Sequence, residues 1–184
     1  MGVVAEIDAA LAAFVAEQRV FFVATAPSGD GGHVNCSPKG GRLHVLGARE
    51  VAYVDRVGSG AETIAHLRQN GRIVVMLCAF TGPPRIVRLH GRGTVIEPGD
   101  AAFAPLFAGL GEEALGVRSI VRVTVERIAN SCGFGVPRYR LEGERDDMAT
   151  WCAKKGQGGL RSYVRDKNAT SIDGLPAVRR LDAP

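Results

Sequence analysis

The residues best suited to chemistry lie in two runs of chain. The first opens as Val34-Asn-Cys-Ser-Pro-Lys-Gly, continues through Val51-Ala-Tyr-Val-Asp and ends in Arg56-Val-Gly-Ser-Gly-Ala-Glu-Thr. The second is Arg85-Ile-Val-Arg-Leu-His-Gly-Arg. Gly58-Ser-Gly-Ala-Glu-Thr stands between the end of a strand and the start of a helix. The first turn of a helix has unsatisfied N–H groups and a positive dipole end. Glycines such as Gly60 let a backbone approach an anion, and Ser59 and Thr63 add hydroxyl donors, which together make a phosphate seat. Equally, Ser59 could simply cap the helix. Lys39, between Pro38 and Gly40, belongs at a rim. An ammonium there could stabilise negative charge on a bound group or hold an anionic substrate; it could also be a solvated loop lysine. Arg85 and Arg88 are three apart on a strand, so they point to opposite faces. Both serve one ligand only if the strand lies at a subunit boundary. A guanidinium fork suits phosphate, and a surface ion pair is the plainer role.

Other chemistries find no support. No Gly-x-Ser-x-Gly stands in a strand-to-helix context, and no Gly-x-x-x-x-Gly-Lys-Ser/Thr run exists. Glu112-Glu113 and Asp146-Asp147 lie in polar segments and read as solvent-facing caps. The four histidines and four cysteines are scattered without ligand spacing, so no metal is expected. Thiols are expected to stay reduced. The net charge of +4, without a basic stripe, and only 6% aromatics do not describe a nucleic-acid platform. No apolar run spans a bilayer and no secretion signal is evident, so a cytoplasmic location is expected.

The elements that must position these residues follow from periodicity. Ile7, Leu11, Phe14 and Val15 share one face and predict a helix over about Val4 to Gln18. Strands are expected over Val20 to Ala26, His33 to Ser37, Arg42 to Leu46, Val51 to Asp55, Arg72 to Ala79, Arg85 to Ile96 and Arg118 to Val125. Pro38 should end the second of these, since proline brings no donor to a central ladder. A helix is expected from about Ala61 to Gln69, stopped by Asn70-Gly71. A short helix should hold Phe103, Leu106 and Phe107. Two polar helices, about Asp147 to Lys155 and Gln157 to Asn168, precede an irregular tail through Pro184. Hairpins flanked by helices predict a closed sheet rather than a doubly wound one.

Taken together, the runs from Val20 through Ile96 resemble the pyridoxamine 5′-phosphate oxidase-like family. They include Val20-Phe-Phe-Val-Ala-Thr-Ala, Val34-Asn-Cys-Ser-Pro-Lys-Gly, Val51-Ala-Tyr-Val-Asp, Gly58-Ser-Gly-Ala-Glu-Thr-Ile-Ala-His-Leu and Arg85-Ile-Val-Arg-Leu-His-Gly-Arg. The tail from Ser131 to Pro176 is similar to one bacterial branch. The resemblance implies a mainly β fold with flanking helices, a six-stranded split β-barrel of the FMN-binding type. Residues 1–130 would form the barrel with its N-terminal helix, and 131–184 a loop and helical extension of the same domain. It also implies a homodimer with FMN, or a deazaflavin in its place, in grooves shared by both subunits. Asn35, Cys36, Ser37, Pro38 and Lys39 would lie along the ring, beside Val54 and Asp55. Ser59, Gly60 and Thr63 would hold the phosphate, and Arg85 and Arg88 would complete the site. The implied activity is hydride transfer by a flavin-dependent oxidoreductase acting on a small molecule, with no nucleic acid or membrane partner. The rivals are a non-catalytic flavin or haem carrier and a deazaflavin-dependent reductase. Two departures argue against pyridoxamine phosphate itself as substrate. Glu62-Thr63 stands where the oxidase proper has an Arg-Lys pair, and the oxidase's C-terminal tryptophan and Arg-Leu-His run is missing.

Overall fold

The computed structural model describes residues 2–180; the last part of the expected irregular tail lies outside them. Alternation of buried and outward residues builds the strands. β1 (Gly2–Val4) is followed by α1 (Ala9–Glu17), β2 (Val20–Thr25), β3 (Asn35–Gly40), β4 (His44–Gly47) and β5 (Glu50–Arg56). Then come α2 (Glu62–Asn70), β6 (Arg72–Cys78), β7 (Ile86–Ile96), α3 (Phe103–Leu110), β8 (Val117–Ser131) and α4 (Asp147–Asn168). One antiparallel sheet runs β3-β2-β6-β7-β8-β5-β4, with β1 added on β8. It curls into a split barrel with helices around it, as expected of the fold class. Among the described residues the sheet has eight strands rather than six. Two of them, β1 and β4, are only three and four residues long and sit at its margins.

Inward residues make the main core: Phe21, Val23, Tyr53, Val75, Leu77, Val87, Leu89, Val121 and Val123, joined by Leu11 and Val15 of α1 and Leu67 of α2. The sheet curls far enough for Phe21 of β2 to meet Tyr53 of β5 edge to face, ring centroids 5.4 Å apart. The helix expected from Val4 begins later, because Asp8 caps it: Leu11 N–H donates to Asp8 Oδ1 at 2.7 Å. Residues 2–4 are free to pair with β8 instead. A second correction concerns Pro38, which does not end its strand. β3 continues to Gly40, which an edge strand permits because the missing N–H has no ladder partner to lose.

A register shift between His90 and Gly91 leaves Glu126 as the extra residue of a bulge in β8. A Cβ at Gly91 would overlap the Thr124 carbonyl, so only glycine fits. α3 covers the outer face of β5 and β8 through Phe103, Leu106 and Phe107 over Ala52 and Ile120. α4 is broken at Gly156 (φ 62°, ψ 173°), a conformation reserved for glycine, which agrees with the two helices expected. Its second half packs Val164, with Ala177 and Val178, against Val57, Ala61 and Ile64 around the start of α2. Among the described residues no helix is long and apolar enough to cross a membrane.

Candidate functional site

The site grows from the register of β2 and β3. Thr25 pairs with Asn35, Val23 with Ser37 and Phe21 with Lys39, so Asn35, Ser37 and Lys39 share the inner face. Cys36 and Pro38 alternate to the other side, opposite Ala24 and Phe22. The five consecutive residues expected along one ligand therefore divide between two faces.

Lys39 reaches across the split of the barrel. Its Nζ donates to Asp55 Oδ1 at 3.0 Å, tying edge strand β3 to β5. Asp55 is 1% exposed. Its other oxygen takes Arg118 Nε at 2.9 Å and Nη2 at 2.8 Å. Burial opposes ionisation of Asp55, but the positive charges of Arg118 and then Lys39 outweigh it and hold its pKa at about 2. Asp55 is thus a permanent anion at neutral pH, with no proton to give. Arg118 also donates Nη1 to Gly60 O at 2.8 Å, which joins this charge network to the loop before α2. Beside Asp55, burial and then the Asp55 charge push the Tyr53 phenol well above its ordinary pKa, so it stays neutral.

A second set of donors adjoins the first. Asn35 Nδ2 donates to Thr63 Oγ1 at 2.9 Å, and Ser37 Oγ donates to Asn35 Oδ1 at 3.2 Å. This chain links β3 to the first turn of α2. One turn on, His66 Nδ1 and Thr25 Oγ1 share a hydrogen bond of 2.9 Å, and burial lowers the His66 pKa. Ser59 is exposed. It does not cap the helix: the N-cap is Ala61, with no side-chain cap bond. The first-turn amides of α2 thus lack the capping side chain that would occupy them. Glu62 folds its carboxylate over Gly60, and Glu62 Oε1 accepts the Ile172 N–H at 3.3 Å.

Of these groups Lys39 lines a cleft of about 660 Å³, within the range of small-molecule and cofactor sites, and Gly58 brings the loop before α2 to its wall. Pro38, Val54, Arg56, Glu112 and Met148 line it as well. Glu112 accepts from His44 Nε2 at 2.8 Å, and Arg56 Nη2 lies 3.5 Å from its other oxygen.

Arg85 and Arg88 are not part of this cluster within one protomer. Arg85 donates Nε and Nη2 to Asn130 Oδ1 at 3.1 and 3.0 Å and stacks over Phe14. Arg88 lies on the outer face, opposite Met76, and donates to Ser131 Oγ at 3.2 Å. Sequence reasoning missed Arg118 and Ser119. A charged residue near the start of a strand looks solvent-facing, and only the fold shows it buried against Asp55.

Comparison with known proteins bears on the family and the fold. The family model described as pyridoxamine 5′-phosphate oxidase matches residues 7–132. A curated relative, the pyridoxamine 5′-phosphate oxidase family protein ustO of the fungus Aspergillus flavus, is 38% identical over 180 residues, covering 88% of this chain and 71% of the relative. The chain belongs to the pyridoxamine 5′-phosphate oxidase family. Among solved structures, HupZ of Group A Streptococcus matches with a TM-score of 0.53 at 19% identity, over 68% of this chain and 94% of that one. A candidate pyridoxamine 5′-phosphate oxidase of Lactobacillus delbrueckii matches with a TM-score of 0.52 at 15% identity, over 70% of this chain and 99% of that one. At such identities the likeness is one of fold.

Proposed function

We propose that this chain is an FMN-dependent oxidoreductase that works on a small molecule as a homodimer. The observation that carries the reading is the Lys39–Asp55–Arg118 network: Lys39 lines the cleft, and Arg118 reaches Gly60 just before the uncapped start of α2. The donor set fits a flavin nucleotide: amides and hydroxyls of Ser59 and Thr63 for an anionic tail, and Asn35, Ser37 and Lys39 for a polar ring edge. When bound, FMN would supply a ring that accepts or donates a hydride. Asp55 fixes the Lys39 ammonium at the cleft wall, where a cation stabilises negative charge on its neighbour. Asn35 holds Thr63 and Ser37 in one bonded chain, so these donors are oriented before a ligand arrives.

The homodimer has its own support. The outer face of β2, β6 and β7 presents Phe22, Val74, Met76 and Ile86, all half-buried and not under α3. An apolar face of this kind suits a second copy. Such pairing would bring Arg88 and Cys36, on the same face, to the subunit boundary. All four cysteines are free thiols, which suits the cytoplasm.

A second reading is favoured by Asp55. The site's buried carboxylate is held as an anion, so Asp55 itself supplies no proton, which suits a non-catalytic flavin carrier. Titration with FMN, followed by addition of a hydride donor, tests both. Bound flavin that is reduced and passes its electrons on supports the oxidoreductase; bound flavin that stays oxidised supports the carrier. Uptake of a deazaflavin alone would move the cofactor assignment. Protein that takes up neither would refute the reading.

A further inference from the structure

The C-terminal end of α4 holds a polar side chain that the family's motifs do not include. Asn168 is 0% exposed and lies beyond the span 7–132 matched by the family model. Its Nδ2 donates to Gly58 O at 2.9 Å, across 110 residues of chain. Its Oδ1 is buried and has no hydrogen-bond partner among the described residues. A buried amide with an idle acceptor is unfavourable for stability alone. The backbone holds it firmly: Val178 N–H donates to Asn168 O at 3.0 Å, and Val164 and Val178 share a core with Val57 and Ile64.

The consequence for the loop follows from peptide geometry. In a trans peptide the carbonyl of one residue and the N–H of the next point in opposite directions, and the chain has no cis peptide among its described residues. Drawing Gly58 O to Asn168 therefore turns the Ser59 N–H the other way. Drawing Gly60 O to Arg118 does the same for the Ala61 N–H. Two carbonyls that would repel an anion are withdrawn, and two donors are turned out beside the first turn of α2. Backbone N–H groups free at the start of a helix favour an anion such as phosphate.

We infer that Asn168 is a positioning residue for the phosphate of the bound nucleotide, acting through the Gly58 carbonyl. This rests on the flavin-nucleotide reading above. Arg118 makes the matching contact but also neutralises Asp55, whereas Asn168 has no second task, so it isolates the effect.

The experiment compares FMN with riboflavin, which lacks the phosphate, in wild type, Asn168→Ala, the near-isosteric Asn168→Leu and the packing control Val164→Ala. Melting temperatures select variants that fold. Asn168→Ala and Asn168→Leu should bind FMN about tenfold more weakly, the loss of roughly one charge-assisted hydrogen bond. Riboflavin binding should be unchanged. Val164→Ala should lower the melting temperature yet keep the wild-type ratio of FMN to riboflavin affinity. A wild-type ratio in the Asn168 variants, or an equal loss for both ligands, overturns the inference. Wild-type protein that binds neither ligand refutes the functional reading instead.

Discussion

Asp55→Asn tests the charge network most sharply. The substitution keeps the shape of the side chain and removes the anion between two cations. Lowering the carboxyl from its ordinary 3.8 to about 2 corresponds to about 2.5 kcal/mol, at ~1.4 kcal/mol per pH unit. Because the folded pKa is depressed, this stability is present above about pH 4 and is lost as the pH falls through about 2. The variant also leaves Arg118, 7% exposed, as a buried charge without its partner. Breaking such pairs costs roughly 3–5 kcal/mol. The two routes agree on about 3 kcal/mol, a fall in melting temperature of roughly 6–12 °C for a chain of this size. Urea unfolding of wild type and variant at about pH 7 measures the difference, and repeats towards about pH 2 should show it shrinking. A difference under about 1 kcal/mol at neutral pH would refute the account of Asp55, as would one that does not change with acid.

Three further perturbations probe other parts of the structure. Glu97 is 2% exposed and accepts the N–H groups of Arg179 and Arg180 at 3.0 and 2.9 Å while pairing with Arg68. Glu97→Gln should destabilise the chain by about 3 kcal/mol and speed tryptic cleavage at the tail, read by mass spectrometry. Gly91→Ala places a methyl group on the Thr124 carbonyl at the bulge and should destabilise by more than about 2 kcal/mol in thermal unfolding. Glu62 carries its charge over Gly60 at the start of α2. Glu62→Gln should therefore tighten FMN binding by about fivefold, roughly 1 kcal/mol of relieved repulsion screened as in water; weaker binding in a fluorescence titration would count against a phosphate there.

Much of this architecture was legible in the sequence, and the failures have physical causes. The Val- and Phe-rich run Val20-Phe-Phe-Val-Ala-Thr and the long run from Arg85 to Ile96 read as strands, and the fold places β2 and β7 there. Pro38 misled because it forbids a central strand but not an edge, and nothing local says which a strand will be. The strand at residues 2–4 went unread, and Val4 was placed in the helix, because so short a strand has no periodicity to show. Asn35, Ser37, Lys39, Asp55 and Thr63 were named, and the fold joins them in two bonded sets, Ser37–Asn35–Thr63 and Lys39–Asp55. Their bonds to one another depend on the curl of the sheet, which no spacing reveals. Asn168 closed a polar helix and offered no sign of burial.

The central claim is that this cleft seats a flavin nucleotide with its phosphate on the Ser59 to Thr63 turn and its ring beside Lys39. A crystal structure of the protein soaked with FMN tests it directly. The account predicts phosphate oxygens on the Ser59 and Thr63 donors and the ring against β3. Phosphate bound elsewhere, or a cleft that stays empty at saturating FMN, would contradict it.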